Sequence, residues 1–469
     1  MPFVATNPST TRYLYSVPSL DAAARHALLG RIAQQQRTWR SCTREQRAQF
    51  VEALGHALTR HRETLALSLT TEMGKPLSAA RGEVDKCIHL CEVAPTLAAN
   101  ALHDDVLFTD GTSSAHVRYE AIGVVLAIMP WNFPLWQALR CAVPCLLAGN
   151  GVLIKPAPSV PGAARLLADC LHEARDAVAS HAVPPAPCDI IFCEQDDIAE
   201  LIADARIAAV TLTGSDRAGR RVGALAGAAL KKVVLELGGS DAFIVLPDAD
   251  VERAAVCAVQ SRTVNGGQSC IAAKRFIVCD AIYAAFVERF SARMQALTVG
   301  DPFAPDTDVG PLATAAARTT LERQVRESVA LGARVACTGV TPDLPGYYYA
   351  PTVLVDVPWD SPAATEELFG PVAAVFRVHT VDDAITRANA TSFGLGASIW
   401  TSSTSDASRC IAELDVGMVF INEMVVSDAR TPFGGVKQSG MGRELGALGF
   451  REFTNPKLVR SHHLPSPSR

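Results

Sequence analysis

Two short apolar runs decide how this chain folds: AAVTLTGS at 208–215 and KKVVLELGGS at 231–240, joined by a helix-forming stretch from Arg217 to Leu230. Both runs are largely apolar on either face, and both end in glycine and serine, residues that start turns and helices. Working outward, the same pattern recurs upstream in GVVLAIM (123–129), GVLIKP (151–156) and DIIF (189–192), with another helical stretch from Pro161 to Ser180. A strand with no polar face must be covered on both sides. Such runs alternating with helices therefore predict a parallel sheet between two helical layers. The expectation is a doubly wound α/β domain of the dinucleotide-binding type.

A second α/β series begins at DAFIVLPDADVERAAVCAV (241–259). It continues through RFIVCD (275–280), a helix from Ile282 to Leu297, VAAVFRV (372–378) and a strand from Gly417 to Ile421. Before the first series, Leu20 to Ala101 reads as long helices, and the tail after Pro465 is short and polar. The chain has 469 residues, 49% apolar and 19% charged, with a net charge of −5. That composition gives no reason to expect nucleic acid or an anionic membrane as a partner. The N-terminus lacks the charged and apolar regions of a secretory signal, and the apolar run Ala121–Met129 is too short to span a bilayer. A cytoplasmic protein is expected. Thirteen cysteines are present, but the i, i+4 pairs Cys87/Cys91 and Cys141/Cys145 have no nearby histidine or CxxC partner. They read as packing thiols, and no metal site is expected.

Three segments carry groups suited to chemistry. VNGGQSCIAAKRF (264–276) presents Cys270 after a glycine-rich bend, either as a nucleophile or as a structural thiol. In VLELGGSD (234–241), Glu236 ends a strand, at the carboxyl end where open α/β sheets bind ligands; a salt-bridged glutamate is the alternative. In IMPWNFPLWQALR (128–140), Asn132 is fixed between Pro130 and Pro134, as an amide donor to an oxyanion or as a plain turn residue.

Taken together, PWNFP, ELGGS, GQSC, EELFGP and PFGGVKQSG, in this order across the chain, resemble the aldehyde dehydrogenase superfamily. The likeness is greatest to its succinate-semialdehyde branch, on KPAPS, ELGGSD and SDARTPFGGVK. It implies a Rossmann-type cofactor domain (1–112 and 124–236), a catalytic domain (237–428), a returning segment (429–451), and an oligomerisation sheet from 113–123 and 452–461. It implies Cys270 as nucleophile, Glu236 as base and Asn132 as oxyanion donor. NAD(P) would be held by Lys155, Gly214 and Ser215 at a helix start, Glu367, Phe369 and Trp131. Many NAD-preferring members carry glutamate three residues after the strand-end lysine. Here that position is Pro158, followed by Ser159, so a 2′-phosphate meets no carboxylate and NADP is weakly favoured.

Phe133, Trp136 and Arg140 share a helix face that the resemblance places along the substrate tunnel. Arg140 would take a distal substrate carboxylate with Ser427 as second ligand, the alternative being a structural ion pair. Succinate semialdehyde is the leading substrate, with glutarate semialdehyde its neighbour. A CoA-acylating enzyme and a non-catalytic crystallin-like member are the competing readings. A homodimer or homotetramer is expected.

Overall fold

The computed structural model describes residues 3–110, 112–179 and 182–462. Ser180, where the expected helical stretch ends, and the tail after Pro465 lie outside the described residues. Two large sheets organise the molecule. The first has six strands in the order Gly440–Met441, Lys232–Glu236, Ile207–Thr213, Val124–Ile128, Gly151–Lys155 and Cys188–Ile190, all parallel except the first. Alternation along its strands sorts the side chains into two cores. Val125, Ala127, Val152, Ile154 and Val234 pack on one side, in a core shared with the helices Arg44–Arg60, Leu77–Ala101 and Pro134–Leu147. Val124, Leu126, Leu153, Val210 and Leu235 pack on the other, against Ala22–Trp39, Asp197–Ala203 and Asp216–Ala228. Each fully buried side chain of this kind contributes about 1.5–3 kcal/mol, which explains why the runs are largely apolar on both faces.

The second sheet has seven strands, in the order Arg334–Thr338, Thr352–Val355, Val372–Val378, Arg275–Cys279, Ala242–Val245, Gly396–Trp400 and Met418–Ile421, with only the first pair antiparallel. A three-stranded sheet pairs Ser113–Ala121 with Thr454–His462 on one side and with Asp105–Thr109 on the other. Asp105–Thr109 falls within the stretch assigned from the sequence to the cofactor domain, so this sheet begins earlier than residue 113. The reason is local: Val106, Leu107 and Phe108 are exposed and show no alternation to read. An N-terminal hairpin, Phe3–Thr6 with Tyr13–Val17, also escaped the sequence reading.

Parallel register brings the ends of four strands to one edge of the first sheet. Residues 129–132, Lys155, Gly214 and Glu236 all emerge there. Facing that edge, the second sheet offers the loop that leads into Arg275–Cys279 and carries Cys270. The functional groups therefore meet between the sheets, as Rossmann-like architecture requires.

Candidate active site

Cys270 owes its position to a bend and a strap. The helix Val251–Thr263 runs into a 3-10 turn, Val264–Gly267, in which Asn265, Gly266 and Gly267 have φ of 56°, 64° and 78°. A Cβ on Gly267 would lie 2.3 Å from the Gly370 carbonyl carbon, so no side chain fits where the EELFGP loop crosses. Buried Lys274 then donates to the carbonyls of Ser269 (2.8 Å) and Cys270 (2.6 Å) and pairs with Glu367 at 3.4 Å. A Cβ on Gly239 would lie 2.6 Å from the Cys270 carbonyl oxygen, which shows how closely the ELGGS turn approaches the cysteine.

Asn132 is held as firmly. Its carbonyl accepts from Lys75 Nζ at 3.0 Å and from Asn265 Nδ2 at 2.9 Å, and its own Nδ2 donates to the Gln268 carbonyl at 3.0 Å. Lys75 is buried and ion-paired with Glu83. The other Glu83 oxygen accepts from the amides of Leu135 and Trp136 at 3.0 and 3.1 Å, capping the helix Pro134–Leu147. Proline at its first position completes that start. One amide hydrogen of Asn132 remains for a ligand.

Electrostatics near the cysteine favour protonated groups. Burial pushes the Cys270 thiol up to about 12; Lys274 and Arg140 oppose the shift, and Glu367 and Glu236 add to it. Glu236 is buried, and neither of its carboxylate oxygens has a protein hydrogen-bond partner. Burial, then repulsion from Glu444, raises its pKa well above the carboxylate range against the pull of Arg140 and Arg443. A carboxylate with a raised pKa is a stronger base, once ionised, than one in water.

Two cavities share Cys270 in their walls. One, of about 330 Å³, is walled by Phe133, Trp136, Gln137, Arg140, Lys86, Val425, Ser427, Phe433 and Cys270, among others. The other, of about 260 Å³, is lined by Trp131, Asn132, Thr213, Gly214, Ser215, Glu236, Gly238, Glu367, Phe369 and again Cys270.

The second cavity fits a nicotinamide dinucleotide. Ser215 caps the helix Asp216–Ala228, so Gly214 and Ser215 stand at a helix start where amides favour an anion. Lys155 does not line this cavity; it ends its strand buried, with no ion pair among the described residues, and burial lowers its pKa. The ammonium is thus costly without an anionic or hydroxyl ligand. Phe369 and Trp131 meet edge to face at 5.8 Å on the cavity wall.

The sequence profile of the aldehyde dehydrogenase family matches residues 2–459. The chain belongs to that family. Succinate-semialdehyde dehydrogenase [NADP(+)] 1 of Mycobacterium tuberculosis is 45% identical over 463 residues, 98% of this chain and 99% of the relative. The Mycobacterium leprae succinate-semialdehyde dehydrogenase [NADP(+)] is 47% identical over 425 residues, 90% and 91% of the two chains. Among solved structures, succinic semialdehyde dehydrogenase from Streptococcus pyogenes in complex with NADP+ superposes with a TM-score of 0.92 at 34% identity, covering 99% of this chain and all of that one.

In this aldehyde dehydrogenase the fold gathers Cys270, Glu236, Asn132, Trp131, Gly214, Ser215, Glu367 and Phe369 around one cavity. Phe133, Trp136, Arg140 and Ser427 come together in the other, where Trp136 Nε1 donates to Ser427 Oγ at 3.2 Å. Phe133 stands one residue before the helix, as its cap, and still faces the cavity. Pro158 is exposed and Ser159 half-buried; the Pro158 carbonyl accepts from the Val4 amide. Arg140 is already paired: Glu444 forms a buried ion pair with it, the alternative the sequence left open, and Phe433 lies under its guanidinium at 4.5 Å. The two charges come from elements more than 300 residues apart in sequence, a distance over which no spacing rule can match them.

Sequence reasoning also missed Lys75, Glu83, Lys86, Lys274 and Glu444. Glu83 could have been found, since it lies on the apolar stripe formed by Ala80, Val84, Cys87 and Cys91. The others read as ordinary surface charges.

Proposed function

We propose that this enzyme oxidises succinate semialdehyde, or a close carboxylated homologue such as glutarate semialdehyde, to the acid with NADP+ or NAD+. The supporting observation is that one cysteine, Cys270, lines both a cavity of substrate size and a cavity suited to the dinucleotide. The substrate named for the relatives agrees with it. Cys270 loses its proton to solvent and adds, as thiolate, to the aldehyde carbon to give a thiohemiacetal. The Asn132 amide and the Cys270 N–H stabilise its oxyanion, typically by about 3 kcal/mol per donor. The hydride of this adduct finds its acceptor in the dinucleotide when that is bound, and its departure leaves a thioester on Cys270. Glu236 then activates the water that releases the acid and restores the thiol.

The test is a kinetic panel of succinate semialdehyde, glutarate semialdehyde and butanal with both cofactors. A carboxylated aldehyde is expected to exceed butanal in kcat/KM by at least tenfold. NADP+ and NAD+ are expected to be comparable with NADP+ ahead, because among the described residues no carboxylate acts on Lys155. A preference for NAD+ above a hundredfold, or acid formed only when CoA is supplied, would overturn this reading.

The domain division drawn from the sequence is kept, with the oligomerisation sheet extended to begin at Asp105. Thr454–His462 is an edge strand, and the sheet it edges exposes Val106, Leu107, Phe108 and Leu458. An open edge beside apolar groups invites strand pairing between subunits. Sedimentation should give a dimer or tetramer, and Leu458→Lys should shift it toward monomer. A monomeric wild type would remove the sheet from this role.

A further inference from the structure

The first cavity contains three cationic side chains, and only one of them lacks an anion. Lys75 is neutralised by Glu83 and Arg140 by Glu444, both within the protein interior. Lys86 lines the same cavity and has neither an ion pair nor a hydrogen bond among the described residues. Its Nζ lies 4.2 Å above the centre of the Trp136 ring, and the carboxylates that act on it from its surroundings are Glu83 and Asp428. Glu83 is taken by Lys75, and Asp428 is held by Arg430 at 2.6 Å. A charge so placed is costly unless a ligand completes it.

The surroundings make a carboxylate subsite. Ala79, Gly82, Glu83 and Lys86 fall at i, i+3, i+4 and i+7 of the helix Leu77–Ala101, one face turned to the cavity. A Cβ on Gly82 would meet nothing within 4 Å, so there is open space one turn from the ammonium. Trp136 joins Lys86 to Ser427: the ring lies beneath the ammonium, and its Nε1 donates to Ser427 Oγ. The Ser427 hydroxyl keeps its own hydrogen to donate.

We infer that Lys86, with Ser427 beside it, takes the carboxylate of the aldehyde substrate and sets the preference for carboxylated over plain aldehydes, while Arg140 is a wall of the cavity whose charge Glu444 has already balanced. This rests on the semialdehyde reading and names the cation that reading requires. Burial lowers the pKa of Lys86 to about 8, with Arg140 on the facing helix lowering it further and Cys87, Glu83 and Asp428 opposing. The ammonium is the form present below that pH, so preference for the carboxylated substrate is lost as pH rises through it.

The experiment compares kcat/KM for succinate semialdehyde and for butanal, with NADP+, in wild type, Lys86→Met and Lys86→Arg. In Lys86→Met the ratio should fall roughly 30-fold, about 2 kcal/mol at 1.4 kcal/mol per factor of ten, with the loss in KM for the semialdehyde. Lys86→Arg should restore most of it. In wild type, the ratio should fall above about pH 8, and in Lys86→Arg it should not. Titration of Cys270 and Glu236 acts on both substrates and cancels in the ratio. Because two substrates share each sample, partial unfolding cannot imitate the result, and Lys86→Gln repeats the measurement if Lys86→Met does not fold. A wild type that prefers neither aldehyde would overturn the semialdehyde reading and this inference with it. A wild-type preference that survives Lys86→Met within threefold would overturn the role of Lys86 alone and leave the ammonium a packing partner of Trp136.

Discussion

Cys270→Ser is expected to lower the rate of dinucleotide reduction by about ten-thousand-fold or more, the scale on which enzymes lose activity when a covalent nucleophile is removed. The reason lies in what burial does to each atom. The pocket already pushes the thiol up to about 12, even with Lys274 and Arg140 opposing the rise. A hydroxyl in the same desolvated place starts several units higher, beyond the reach of any carboxylate. The replacement is nearly isosteric, and the hydrogen bonds that hold the loop go to the backbone carbonyls of Ser269 and Cys270, so they survive. Thermal unfolding should therefore change little while activity disappears. A serine variant with near-normal turnover would end the covalent mechanism.

That the same few residues organise both fold and site explains why so much could be read from the sequence. Runs such as GVVLAIM and VLELGG are apolar on both faces because helices cover both faces, and those strands then deliver Asn132, Lys155, Gly214 and Glu236 to one edge. Local chemistry and topology agree there, so the reading carries through. It fails where a residue's role depends on a partner far along the chain. Arg140 sits on a helix face as expected, yet its charge is balanced by Glu444, which the returning segment brings in. Lys75, in a Gly-Lys-Pro turn, looks solvated until the burial of Glu83 and the carbonyl of Asn132 are seen together.

Strands were missed for a different reason. Gly396–Trp400 opens with Gly-Ala-Ser and is fully buried between two parallel neighbours. Small residues suit it because Asp241 and Val425 press against it: a Cβ on Gly396 would lie 3.0 Å from each. Propensity in isolation reads such a segment as a turn, and only the crowded interior favours it as a strand. Thr352–Val355 is four residues long and follows a proline, too short for any period to show.

Glu236→Gln is expected to separate the two halves of the reaction. The substitution keeps the volume of a buried side chain and removes a carboxylate, sharing a cavity wall with Cys270, whose oxygens are free of protein partners. Dinucleotide reduction should begin with a burst approaching one equivalent per active site and then continue at a rate lowered by roughly 10²–10⁴, the range set by loss of a general base. The thioester on Cys270 should accumulate and be visible as a mass increase on the peptide that contains it. In the wild type, steady-state turnover should rise with pH, because the raised pKa of Glu236 keeps it protonated, and inactive as a base, above the normal carboxylate range. That acid limb should vanish in Glu236→Gln. Stability should not fall, since the variant removes a carboxyl group that Glu444 repels and burial disfavours. If instead the burst is lost in proportion to the steady-state rate, Glu236 acts mainly before hydride departure, in deprotonating Cys270, and the water-activating step belongs to another group.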